Sequence, residues 1–259
     1  MNVQTGFVTQ MGMNTETALD AAADYGFDFV EVMMDGTDER RALDTRRDAF
    51  RSSLATRDLD LLVHLPFGGI DLGSPFEHVR QGSVRELAAA IDTAADLDAE
   101  KAVVHPTTNA WSPAWDAADL RANVVDSLRT LDDHATDVGV ELCAENIPRS
   151  VFRTHEFPEL LRETDVSMTL DTGHARMDGR DSAGIAAFAE RFGNRISHLH
   201  LNDTRQSKDE HLPFGAGDID FEAIFDALGD DWVGTLSLEV FTHDVDYLGV
   251  SKRRLDELL

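Results

Sequence analysis

Nine side chains of this sequence have the types and the spacing to hold divalent cations: His64 in LLVHLP, His105 in AVVHP, Glu145 in LCAEN, Asp171 and His174 in MTLDTGH, His200 in ISHLHLND, Asp209 and His211 in SKDEHLPFG, and Glu239 in LSLEV. His64, His105, Glu145, Asp171, His200 and Glu239 each close a short apolar run that reads as a buried strand. The other three follow such runs in loops. Imidazole and carboxylate donors mixed in this way suit zinc, manganese or related ions, whereas calcium takes oxygen almost exclusively. A glutamate that ends an apolar strand is costly to bury without a counter-charge, so several such groups converging on one place call for a cation. The set is sufficient for one ion, or for two or three if carboxylates bridge.

Not every polar group nearby belongs to that set. Side chains in a strand alternate between faces, so His198 and His200 point to the same side, with His198 one pleat deeper. His198 is expected to support the site or to be a hydrogen-bonded core histidine. Cys143 lies two positions before Glu145, on the same inward face, and reads as packing. His78, His134, His155 and His243 read as solvated or loop histidines. The aromatics Phe67, Trp111, Trp115, Phe214 and Phe241 have the chemistry to stack on a sugar ring but more often serve loop packing.

Residues so far apart in sequence meet only if the chain repeats one unit. Strand-like runs, VQTGFV, FDFVEVM, LDLLVH, KAVVH, VELCAEN, VSMTLD, ISHLHL and TLSLEV, alternate with amphipathic segments such as TETALDAAADYG, VRELAAAIDTAADL, LRANVVDSLRTLDDHATDVG, AGIAAFAERFG and FEAIFDALG. Gly26, Gly139, Gly193 and Gly229 stand where helices need a C-cap. Eight strand–helix units in 259 residues predict an α/β fold, a single-domain (β/α)8 TIM barrel over 1–259. The alternative, an open doubly wound sheet, lacks its glycine fingerprint, since TQMGMNTE after the first strand is no G-x-G-x-x-G. In a barrel all strand C-termini share one rim, which brings the nine residues together.

Composition limits the partners. There are 49 acidic against 23 basic residues, a formal net charge of −26, and only three lysines, Lys101, Lys208 and Lys252. With 42% hydrophobic residues this is no disordered chain, and the balance predicts a folded, halophilic protein whose self-repulsion is screened by salt. Such a field repels nucleic acid and anionic membrane at ordinary ionic strength. A single cysteine rules out an intrachain disulfide, and no segment reads as a signal peptide or a membrane span, so the expected location is cytoplasmic.

The segments VHLPFGGIDLGSP, VVHP, AENIP, LDTGHA, HLNDT and DEHLPFGAGDIDF together resemble the xylose-isomerase-like barrel superfamily, over nearly the whole chain from FDFVEVM to LSLEV. That superfamily joins sugar and sugar-phosphate isomerases and epimerases to the endonuclease IV group of abasic-site DNA repair enzymes. Carried over position by position, the zinc-ligand pattern of the repair enzymes is matched by all nine residues, with HLND selecting His200 over His198. The isomerase branch uses four of them around one ion: Glu145, Asp171, His200 and Glu239. There the resemblance implies that Glu145 and Glu239 are catalytic and move protons.

The first strand departs from the repair enzymes, reading VQTGFVTQMGMNTE in place of a Gly-Ala-His-like opening, and basic, aromatic insertions for gripping and kinking a duplex are hard to find. The leading expectation is therefore a divalent-metal-dependent isomerase or epimerase of a small sugar, sugar phosphate or polyol, with zinc first and manganese, magnesium or cobalt as other candidates. Arg205 and Lys208, after HLNDT, are candidate phosphate or hydroxyl contacts. The alternative is a zinc-dependent abasic-site phosphodiesterase, under which nucleic acid becomes the partner. A barrel that merely binds a sugar or metal needs no matched pair of glutamates at the ion.

Overall fold

The computed structural model describes residues 1–10, 12–205 and 208–259. Eight parallel strands follow one another around a closed ring: β1 (Asn2–Val8), β2 (Phe29–Met33), β3 (Asp60–His64), β4 (Lys101–Val104), β5 (Glu141–Glu145), β6 (Ser167–Asp171), β7 (Ile196–Leu201) and β8 (Val233–Leu238), with β8 paired back onto β1. This is the (β/α)8 barrel that the alternation implied, and each strand matches its sequence run to within a few residues.

Ten helices surround the ring among the described residues. α1 (Thr15–Tyr25), α2 (Arg40–Thr45), α3 (Arg47–Arg57), α4 (Glu77–Asp96) and α5 (Ala117–Val138) cover the first half. α6 (Phe157–Glu163), α7 (Thr172–Met177), α8 (Ser182–Phe192), α9 (Phe221–Leu228) and α10 (Asp246–Asp256) cover the second. α5 shows why such segments dock: Leu120, Val124, Leu128, Leu131 and Ala135 recur every three or four residues and are buried, and Asp116 and Gly139 cap its two ends. Gly26 and Gly139 end their helices in the left-handed region as expected, and Gly229 also has positive φ. Gly193 differs. It keeps right-handed helical angles, and the turn into β7 is closed instead by the Arg195 amide on the Phe192 carbonyl and the Ile196 amide on the Gly193 carbonyl.

Inside the barrel the register fixes which side chains are neighbours. Asp171 pairs with His200, His200 with Ser237, and His198 with Thr235. Lower in the barrel, a Cβ on Gly6 would lie 2.3 Å from the Phe29 ring, so the glycine makes room for that ring beside His198. No helix among the described residues is long and apolar enough to cross a membrane.

Candidate metal centre

The strand ends carry their polar residues to one rim, and four of them form a quartet. Donor atoms of Glu145, Asp171, His200 and Glu239 all lie within 4.8 Å of one another, and all four side chains are buried. His200 Nδ1 sits 3.3 Å from Glu239 Oε2 and 3.6 Å from Glu145 Oε1. Glu145 Oε1, His200 Nδ1 and Glu239 Oε2 nevertheless have no hydrogen-bond partner. Buried polar atoms are rarely left so, and here both carboxylate oxygens lie within 3.6 Å of the imidazole nitrogen. A donor set of one imidazole nitrogen and several carboxylate oxygens with unsatisfied lone pairs fits a divalent cation.

Two further groups flank the quartet. His64, His105 and Glu145 form one: His105 Nε2 is 3.1 Å from His64 Nε2 and 3.1 Å from Glu145 Oε2. His174, Asp209 and His211 form the other, with His211 Nε2 2.8 Å and His174 Nε2 3.4 Å from Asp209. Glu145 joins all three, since Oε1 faces His174 Nδ1 at 2.9 Å while Oε2 faces His105. The nine residues singled out from the sequence thus lie together.

Neighbouring groups aim these donors. His64 Nδ1 lies 3.0 Å from the Leu65 carbonyl and His211 Nδ1 3.1 Å from the Glu239 carbonyl, so each can donate there and turn Nε2 towards the site. Asp171 N-caps α7 by accepting from the His174 amide, and it accepts from Asn202 Nδ2 at 2.8 Å. Asn146 holds the Asp171 backbone at both its N–H and its C=O. Asp203 Oδ1 accepts from the amides of Thr204 and Ile219, and Oδ2 from those of Gly215 and Gly217, which folds back the loop that bears Asp209 and His211.

The site behaves as one electrostatic unit. Burial pushes the Asp171 carboxyl up to about 7 against the pull of His174. Burial also raises Glu239, but His200 and His211 outweigh it and hold that carboxyl at about 2. Burial disfavours the His211 cation, while Glu239 and Asp209 reverse the balance and raise it to about 9.

Other expectations fare differently. Cys143 is fully buried, 3.4 Å from Ser197 Oγ, and burial raises its thiol to about 12. His78, His155 and His243 are exposed, and His134 pairs with Asp92 at the surface. Phe67 stacks on His105 at 4.7 Å between centroids and Phe241 on His211 at 4.0 Å, so both flank the site. Phe214 does not face a ligand: it is buried against Phe221 of α9. Trp111 is largely exposed, and Trp115 packs edge-on against Phe76. Arg205 is spoken for by Glu210 at 2.8 Å, and Lys208 is exposed.

One functional residue escaped the strand-end criterion. Glu31 in the middle of β2 is fully buried beneath the quartet, hydrogen-bonded to His198, His200 and Ser237. The signal was an acid flanked by valines in FDFVEVM, and the cost of burying a glutamate applies to it as to Glu145 and Glu239.

A parallel eight-stranded barrel with a polar rim of imidazoles and carboxylates is the frame of a known class, and the chain belongs to the xylose isomerase-like TIM barrel family, whose model matches residues 19–258. An uncharacterized protein of Methanocaldococcus jannaschii is 29% identical over 234 residues, covering 86% of this chain and 78% of its own. A probable endonuclease 4 of Mycobacterium leprae is 29% identical over 221 residues, 81% of this chain and 84% of its own. Among solved structures, a D-tagatose 3-epimerase-like protein superposes with a TM-score of 0.84 at 25% identity, over 98% of this chain and 96% of that one.

Proposed function

We propose that the chain is a divalent-metal-dependent isomerase or epimerase of a small sugar or related polyol, in which Glu145 and Glu239 move the proton. The observation that carries this reading is the convergence of Glu145 Oε1, His200 Nδ1 and Glu239 Oε2, buried and without a hydrogen bond, with Asp171 beside them. The likeness to a D-tagatose 3-epimerase-like protein supports it.

Glu145, Asp171, His200 and Glu239 would hold the cation. When bound, a divalent ion would supply Lewis acidity that polarises a substrate carbonyl and so acidifies the C–H on the carbon beside it. Glu145 comes from the end of β5 and Glu239 from just past β8, three strands further around the ring, so two separate elements supply the carboxylates that would act on a docked carbon. One takes the proton and the other returns one, to the opposite face or to the neighbouring carbon. The nitrogen and oxygen donors suit zinc or manganese, and accommodate magnesium or cobalt.

Beside the site lies a cleft of ≈ 600 Å³ walled by Met13, Met33, Phe67 and Phe241, with Gln10 and Asn14 among its polar groups. Thr17, Thr242 and His243 line it as well, so its polar groups can bond sugar hydroxyls. The single buried cysteine fits a reducing cytoplasm, and the charge of −26 fits work in concentrated salt.

The test is to incubate the chain with zinc or manganese and a panel of ketoses in heavy water at high salt, following deuterium entry at carbon. Epimer formation with deuterium incorporation is expected, and Glu239→Gln should slow it by about 10²–10⁴-fold. Unchanged exchange in Glu239→Gln would refute the role given to that residue.

The two flanking groups favour a second reading. A one-ion isomerase has no need of His64, His105, His174, Asp209 and His211, whereas clustered zinc ions that activate water for attack on a phosphodiester would use them all. The relative that is a probable endonuclease 4 supports this. Three zinc ions per chain and a nick in an abasic duplex would reverse the order of the two readings.

A further inference from the structure

Beneath the quartet runs a chain of polar groups sealed inside the barrel, none of which was among the nine candidate ligands except His200 at its upper end. His198 Nδ1 is 2.6 Å from Thr235 Oγ1, and His198 Nε2 is 3.0 Å from Glu31 Oε2. Glu31 Oε1 is 3.0 Å from His200 Nε2, and Ser237 Oγ donates to Glu31 Oε2 at 2.5 Å. Thr235 and Ser237 sit beside the two histidines because the β7–β8 register pairs them. Glu31, His198, His200 and Ser237 are wholly inaccessible to solvent, and Thr235 nearly so.

The contacts to Glu31 set the protons on the ring nitrogens that face it. An ionised carboxylate only accepts, so the ring nitrogens facing Glu31, Nε2 of both His198 and His200, must carry hydrogen. His198 Nδ1 then accepts from the Thr235 hydroxyl. His200 is left with Nδ1 towards Glu145 and Glu239, where that atom has no hydrogen-bond partner. Glu31, His198 and His200 are also close enough to hold an ion themselves, but their donors and acceptors satisfy one another, which argues for a hydrogen-bonded brace.

We propose that Glu31, steadied by His198, Thr235 and Ser237, is the positioning residue of the metal centre: it fixes the His200 ring and its Nε2–H form so that Nδ1 is the atom presented to the cation. This rests on the metal reading above but concerns a residue outside the ligand set. A carboxylate on the far nitrogen of a ligating imidazole both orients the ring and raises its basicity. It also explains a buried acid in an otherwise apolar strand, which would be costly without such partners.

Three measurements on the full chain test it. Wild-type protein loaded with a magnetic cadmium isotope and isotope-labelled histidine should show coupling from the metal to His200 Nδ1, with Nε2 still protonated; coupling to Nε2 would overturn the proposal. Zinc affinity, measured by competition with a chelating dye, should fall about 10–100-fold in Glu31→Gln, with the unloaded variant keeping the wild-type far-ultraviolet dichroism. An unchanged zinc affinity in a folded Glu31→Gln would overturn the proposal while leaving the metal reading intact. Ser237→Ala, which removes one support of Glu31 and no hydrogen bond to either imidazole, should weaken zinc by a smaller factor and keep the Nδ1 coupling. Failure of the wild type to bind any divalent cation would refute the metal reading itself, and the proposal with it.

Discussion

His200 Nδ1 and Glu239 Oε2 lie 3.3 Å apart inside the barrel mouth, yet neither atom has a hydrogen-bond partner. Two buried polar atoms left in this way destabilise the fold unless something satisfies both. Zinc or manganese should therefore raise the melting temperature of chelator-stripped protein. With free cation at roughly 100 times its Kd the gain is about 3 kcal/mol, or roughly 5–10 °C for a chain of this size. Calorimetry across a metal titration reads it, and a melting temperature indifferent to both ions and to chelator would defeat the metal assignment.

His105 distinguishes a single working ion from a cluster. It lies 3.1 Å from Glu145 Oε2, on the side of that carboxylate away from the quartet, and stacks on Phe67. If the quartet alone does the chemistry, His105→Ala should retain one tightly held ion and lose less than about tenfold in proton exchange, a barrier change under about 1.4 kcal/mol. Elemental analysis beside the exchange assay checks both. Loss of an ion together with loss of all activity would show that the flanking group takes part.

The barrel and the nine rim residues were legible because both follow from short-range pattern. Apolar runs alternating with amphipathic segments give the topology, and topology alone carries His64 and Glu239 to the same rim. What escaped depends on contacts with no local signature. Glu31 sits in mid-strand, and its meaning comes from His198 and His200, far along the chain. The helix α3 buries only Phe50 and Leu54, too thin a stripe to stand out from RDAFRSSLATR. Arg205 is exposed and held by Glu210, and Phe214 packs on Phe221, in keeping with the packing expected of such aromatics.

Asp203 shows how much of the site is loop architecture. Its two oxygens accept four backbone amides, from Thr204, Gly215, Gly217 and Ile219, and a Cβ on Gly217 would fall 2.2 Å from Oδ1. Asp203→Asn replaces an acceptor by a donor facing amides that also donate, so a cost of about 2–4 kcal/mol is expected. Denaturant unfolding measures it. Because this loop bears Asp209 and His211 and not the quartet, zinc affinity of the quartet should change much less than stability does. Equal losses in both would mean that the loop and the quartet are one cooperative unit.

The charge of −26 makes a last prediction, in which two electrostatic effects oppose each other. Salt screens surface pairs such as Arg129 with Glu163 and Arg205 with Glu210, and that weakens the fold. Such exposed pairs contribute little, about 0–1 kcal/mol each at most. Salt also screens repulsion among 49 carboxylates that only 23 cations offset, a destabilising field spread over the whole molecule. The second effect should dominate, so the melting temperature should climb from low salt to molar sodium chloride, and most steeply at the dilute end where the screening length changes fastest. A melting temperature that falls as salt is added would mean that the surface pairs outweigh the net repulsion and would remove the argument for a high-salt habitat.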